Sequence, residues 1–227
     1  MKLLTYTAIT LLLGSALLLW QSVEKSEAVS DGPIITQLLE GNKRYREMRP
    51  RHPDQSKFRR ESLTDGQKPK AIVVSCSDSR VPPEIIFDQG LGDLFTIRTA
   101  GNVIGDIELA SIEYAVLNFQ CNTVVILGHE KCGAILAFLE QPNGNHPGHL
   151  DELIQFIRQQ PVQQKLLNRE GDKSYQSVIT NVIYGVNQVR THSTVIADHF
   201  NGRELEIYGA IYHLKNGQVQ IIDDERK

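Results

Sequence analysis

Beyond residue 70 the chain alternates short, wholly apolar runs with longer amphipathic ones. AIVVS (71–75) is rich in β-branched residues and bounded by turn formers, the pattern of a strand covered on both faces, and LFTIR (94–98) and TVVILG (123–128) read as a second and a third strand. Between the last two, DIELASIEYAVLNF (106–119) carries Ile107, Ala110, Ile112, Tyr114, Ala115, Leu117 and Phe119, and predicts a largely buried helix. HLDELIQFIRQQPVQQKLLNRE (149–170) predicts helix broken near Pro161, because proline lacks the N–H and clashes with the preceding turn. SYQSVITNVIYGVNQVRTHSTV (174–195) predicts one longer helix, with Val178, Val182, Ile183, Val186 and Val189 recurring near the 3.6 period. Residues 204–214 and 218–222 alternate apolar and polar around Asn216-Gly217, a hairpin signal. Strand, crossover, strand, helix, strand predicts a single α/β domain with a mostly parallel central sheet flanked by helices.

The region before residue 70 reads differently. Met1-Lys2 precedes an apolar run from Leu3 to Trp20, followed by the polar QSVEKSEAVSDG. Residues 1–28 have the order of a secretory signal peptide, with Ser26-x-Ala28 as a small-x-small cleavage site. An uncleaved membrane anchor through residues 3–20 is the rival reading, since eighteen residues reach the lower limit for spanning a bilayer. Either way the expected location is the periplasm or the exterior, with membrane contact only if the segment is uncleaved. Residues 29–66 are assigned to an N-terminal helical arm, helical from Ile34 and then irregular and basic to Arg60, and residues 67–227 to the catalytic domain.

Composition narrows the partners. The 227 residues carry 24 Lys+Arg against 27 Asp+Glu, a formal charge of -3, which provides no global attraction for nucleic acid. Residues 42–60 do hold eight basic against two acidic residues. Without interleaved aromatics they read as a solvated arm. Three cysteines, Cys76, Cys121 and Cys132, are too few and odd in number for a disulfide framework, although export would favour one.

Two of the three fall at privileged places. Cys76-Ser-Asp78-Ser-Arg80 follows the first strand, and His129-Glu-Lys-Cys132-Gly133 follows the third. In open α/β sheets, ligands gather at the carboxyl ends of strands. Two Cys and one His are donors that Zn²⁺ prefers, and three protein ligands with one exchangeable position is the catalytic arrangement. Singly, Cys76 reads more readily as a buried small hydrophobe and His129 as a hydrogen-bonded core residue, and Cys132 at a helix start would have a lowered thiol pKa even without a metal. Cys76 with Cys132 also reads as a redox dithiol, although no CxxC supports that.

The wording of these blocks settles more. CSDSRVPPEIIFDQGLGDLFTIRTAGNVIG followed by YAVLNFQCNTVVILGHEKCGAI resembles the β-class carbonic anhydrases, and the likeness extends from LLEGNKRY to LEIYGAIYHLKNGQV. The resemblance implies a β-carbonic anhydrase-like fold and one zinc ion per subunit, held by Cys76, His129 and Cys132. It implies reversible hydration of carbon dioxide to bicarbonate and a proton through zinc-bound hydroxide, favoured at alkaline pH by two thiolate ligands. Asp78 and Arg80 become the catalytic carboxylate–guanidinium pair, and Asp78 moves onto the metal as a fourth ligand in a closed state. Gln67, Phe95, Tyr114 and the Gly133 N–H become substrate-binding groups, some of them reaching across the interface of a dimer or a dimer of dimers. Val73 stands where bicarbonate-regulated members carry Trp, which favours the open state, while Arg98 matches another position of that regulatory pocket. Cys121 matches no ligand position. Hydrolysis of carbonyl sulfide or carbon disulfide is the alternative reaction, and an occluded zinc-binding protein the non-enzymatic one.

Overall fold

The computed structural model describes residues 32–202 and 204–224. The apolar run 3–20, with its assignment as signal or anchor, lies outside the described residues. None of the described helices is long and apolar enough to cross a membrane.

Five strands form one sheet: β1 (Ala71–Cys76), β2 (Leu94–Thr99), β3 (Thr123–His129), β4 (Glu206–His213) and β5 (Gln218–Asp224), in spatial order β2-β1-β3-β4-β5. The first four run parallel and β5 closes one edge antiparallel. β1 and β3 are buried at every residue, as their unbroken apolar runs require. β4 is buried from Ile207 to Tyr212. Its alternating sequence therefore does not mark a solvated face, since helices cover both sides. The β4–β5 hairpin forms as expected. Gly217 takes φ +71 and donates to the His213 carbonyl at 2.8 Å.

Nine helices accompany the strands among the described residues: α1 (Ile34–Arg46), α2 (Lys57–Ser62), α3 (Pro83–Ile86), α4 (Asp106–Phe119), α5 (Gly133–Glu140), α6 (Leu150–Arg158), α7 (Pro161–Leu167), α8 (Ser174–Thr191) and α9 (Thr194–Asn201). The break near Pro161 is real, and Pro161 opens α7. Two expectations need correction. The single helix over 174–195 is two helices, because Ser193 leaves helical backbone and its Oγ accepts the Ile196 N–H at 3.1 Å, capping α9.

The second correction concerns α4. Leu109, Ile112, Ala115 and Val116 are its buried residues, while Ile107 (76 %), Tyr114 (52 %) and Leu117 (57 %) are exposed. Apolar residues occupy two faces of this helix, and one chain covers only one of them. α1, the expected arm helix, is tied to the body by buried Asn42. Its amide donates to the Ile86 and Gly217 carbonyls, and its oxygen accepts the Val219 N–H at 2.9 Å.

Candidate metal centre

β1 passes the chain to β2 on one side, and α4 returns it to β3 on the other. Strand order therefore reverses between β1 and β3, and the carboxyl ends of the two strands diverge into a crevice there. β1 ends on Cys76 and β3 ends on His129. Lys131, in left-handed backbone at φ +53, turns the chain so that Cys132 occupies the N-cap of α5. Negative charge is favoured at that helix end.

The donor atoms of Cys76, His129 and Cys132 lie within 4.8 Å of one another, and all three residues are buried. The two sulfurs are 4.0 Å apart. Two sulfur ligands about 2.3 Å from one tetrahedral ion stand about 3.8 Å apart, so the spacing suits a shared metal. The imidazole is oriented for the same task. Its Nδ1 lies 2.8 Å from the Glu130 carbonyl, which only accepts, so Nδ1 carries the proton. Nε2 is left with a free lone pair and takes no hydrogen bond in this buried place. A soft S₂N set with near-tetrahedral spacing fits zinc.

The cysteines share one proton before metal binds. Hydrogen bonding from Cys132 draws the Cys76 thiol down to about 4, against the opposing effect of burial, and the N–H groups of Asp78 and Gly101 add to the effect. The Cys132 thiol is pushed up, first by its bond to Cys76 and then by burial. A divalent cation displaces that remaining proton, which couples binding to pH. Cys121 stands apart from the centre. Its thiol donates to the Pro69 carbonyl at 3.0 Å and burial raises it to about 11, as befits a structural residue.

Asp78 sits at the rim of this cluster. Arg80 holds it through Nε to Oδ1 at 2.9 Å and Nη2 to Oδ2 at 2.6 Å, and the Arg80 backbone N–H adds a third bond to Oδ1. This guanidinium holds the Asp78 carboxyl well below the usual carboxylate range. Oδ2 lies 3.8 Å from His129 Nε2. Arg80 also reaches the Lys131 carbonyl at 3.3 Å, bridging the two ligand-bearing loops. Arg98 braces the first loop from beneath, donating to the Cys76 and Asp78 carbonyls at 3.0 and 2.7 Å. Sequence reasoning placed Arg98 only in a regulatory pocket. Its bracing role depends on β2 lying beside β1, which no local signal reveals.

The remaining expected site residues divide. Gly133 begins α5 beside Cys132 and is exposed. Gln67 is exposed in the loop before β1, at the opposite end of that strand from Cys76. Five strand steps separate Ala71 from Cys76, roughly 17 Å, so one chain does not bring Gln67 to its own triad. Phe95 pairs with Ile72, near the same distant end. Its ring lies 6.4 Å from Tyr114 and 5.9 Å from Phe119, and the Tyr114 and Phe119 rings are 5.3 Å apart. These aromatics form a cluster at the outer sheet edge, away from the metal ligands.

A mostly parallel α/β sheet carrying a buried Cys₂His centre at its switch point, with a clamped carboxylate beside it, defines a zinc-binding protein. Residues 71–219 match the family model described as carbonic anhydrase. The chain is 40% identical over 189 residues to carbonic anhydrase 2 of Mycobacterium tuberculosis, covering 82% of this chain and 90% of that one. A β-carbonic anhydrase structure from the fungal pathogen Aspergillus fumigatus, CafA, superposes with a TM-score of 0.64 at 30% identity, covering 83% of this chain and 90% of that one. Tetrameric β-carbonic anhydrases from Sordaria macrospora give 0.65 at 25% identity, over 84% and 98% of the two chains. The chain belongs to the β-carbonic anhydrase family.

Proposed function

We infer that this protein catalyses the reversible hydration of carbon dioxide to bicarbonate and a proton, with one zinc ion per subunit held by Cys76, His129 and Cys132. The observation that carries this reading is the convergence of two thiols and a partnerless imidazole nitrogen within 4.8 Å at the sheet's switch point. Zinc bound there supplies the Lewis acidity that makes water a nucleophile near neutral pH. The chain's own residues direct that nucleophile. Asp78, kept ionised by Arg80, accepts a hydrogen bond from the attacking water and turns a lone pair toward the substrate carbon. The same clamp would hold the carboxylate back from an ion bound by the three ligands, giving the open state. The Gly133 N–H, at the start of α5, donates to a substrate oxygen.

We assign Gln67, Phe95 and Tyr114 to a pocket completed by a second copy of the chain. The exposed apolar strip of Ile107, Tyr114 and Leu117 on α4 supports this assignment, as does the outer edge of β2, which pairs with no strand among the described residues. Self-association as a dimer or dimer of dimers accords with the tetrameric relatives.

The test is zinc content measured beside stopped-flow hydration of carbon dioxide, for the unaltered protein and Cys76→Ser. One zinc per subunit and rapid hydration are expected, both lost in the variant. Zinc-loaded protein without hydration would overturn the reading.

A further inference from the structure

We propose that Asn181, oriented by Gln160, is a positioning residue for the metal ligand Cys76 and acts through the Gly101 peptide. This rests on the zinc reading above and concerns residues on α8 and at the start of α7 that belong to neither ligand loop. The Gly101 N–H donates to Cys76 Sγ at 3.2 Å, and the Gly101 carbonyl accepts from Asn181 Nδ2 at 2.8 Å. Asn181 Oδ1 in turn accepts from Gln160 Nε2 at 2.8 Å. Asn181 and Gln160 are each 3% exposed.

The direction of the chain is unambiguous. A carbonyl only accepts, so Asn181 presents its amide nitrogen to Gly101 and its oxygen to Gln160. Gly101 takes φ +68, and a Cβ there would lie 3.0 Å from the Ala134 Cβ. Its backbone is thus in a conformation that leaves strand and helix ladders, where no neighbouring peptide holds its carbonyl. Asn181 holds it; the Gly101 N–H lies on the preceding peptide plane, joined to that carbonyl only through the φ and ψ of this one residue, so anchoring the carbonyl limits how far the N–H swings from the sulfur. A hydrogen bond weakens steeply as that direction strays.

The Cys76 sulfur accepts a second N–H, from Asp78 at 3.4 Å. That loop is braced by Arg98 through the Cys76 and Asp78 carbonyls. Each donor to the sulfur therefore has its own brace, Arg98 on one side and Asn181 on the other. A thiolate that accepts well-aligned hydrogen bonds donates less charge to its metal, so Asn181 sets the electronic character of the Cys76 ligand without touching it.

The test uses the full chain with zinc replaced by cobalt(II), read by the near-ultraviolet sulfur-to-metal charge-transfer band, and zinc affinity by chelator competition. Asn181→Leu keeps the branched shape and removes the donor. Its band is expected at longer wavelength than in the unaltered protein, because a less hydrogen-bonded thiolate yields charge more readily. Its zinc affinity is expected to be about 10-fold weaker. Gln160→Met, which leaves Asn181 in place but unoriented, is expected to give a smaller displacement in the same direction, and decides the matter if Asn181→Leu does not fold. Asn42→Leu, a buried amide lost far from the metal, controls for general destabilisation and should leave the band in place. A band unmoved in folded Asn181→Leu, or moved equally by Asn42→Leu, overturns the proposal. Absence of any such band in the unaltered protein overturns the zinc reading itself.

Discussion

Arg80 shows how much a single side chain decides at this centre. It occupies both oxygens of Asp78 and a carbonyl of the His–Cys loop, so it keeps the carboxylate ionised and fixed in place together. Replacing it with alanine is expected to release Asp78 toward the ion. Hydration should fall by about 10- to 100-fold with zinc still bound, as read by stopped-flow rates beside metal content. An unchanged rate would mean that the clamp is a structural ion pair only. The CSDSR block shows the pair in sequence, but not its geometry. Three residues separate Arg80 from Cys76 along the chain, yet its second contact, at Lys131, depends on β3 lying beside β1.

At the scale of elements, the caps and breaks matter more than the apolar periodicity suggested. Val178, Val182, Val186 and Val189 are buried as the 3.6 period requires, but the pattern runs past the true end of α8. Ser193 ends it by accepting the Ile196 N–H and donating to Glu113 Oε1 at 2.5 Å, pinning α9 against α4. Ser193→Ala is expected to cost about 1 kcal/mol, measured by denaturant titration, with the hydration rate retained. A loss of rate at unchanged stability would tie α9 to the active centre instead. Cap residues of this kind are hard to read in advance, because THST has several hydroxyls and only packing selects which one caps.

For the molecule as a whole, the outward face of α4 is the feature that one chain leaves unfinished. Ile107, Tyr114 and Leu117 are large, apolar and exposed, beside an edge strand that has no partner on its outer side among the described residues. Contiguous exposed apolar surface marks an interaction site. Leu117→Glu should leave the fold intact, since the side chain is solvated in the single chain, and should shift sedimentation toward monomer. Hydration should fall with it, because Gln67 lies too far from its own triad to serve it. An unchanged sedimentation profile would remove this face from the assembly.

By itself the sequence determined the local facts: three strands, the hairpin at Asn216-Gly217, and the ligand types Cys76, His129 and Cys132 in the blocks that follow the first and third of them. Those are legible because strand burial, turn chemistry and metal preference each reside in a few consecutive residues. Tertiary structure alone decided which strands lie side by side, and hence that two sulfurs stand 4.0 Å apart. It decided also that the apolar surplus of α4 faces outward, and that Asn181, far along the chain, reaches Gly101. The reason is physical. Hydrophobic pattern reports how much of an element is to be covered, whereas what covers it, and which polar group meets which, is set by packing between distant segments.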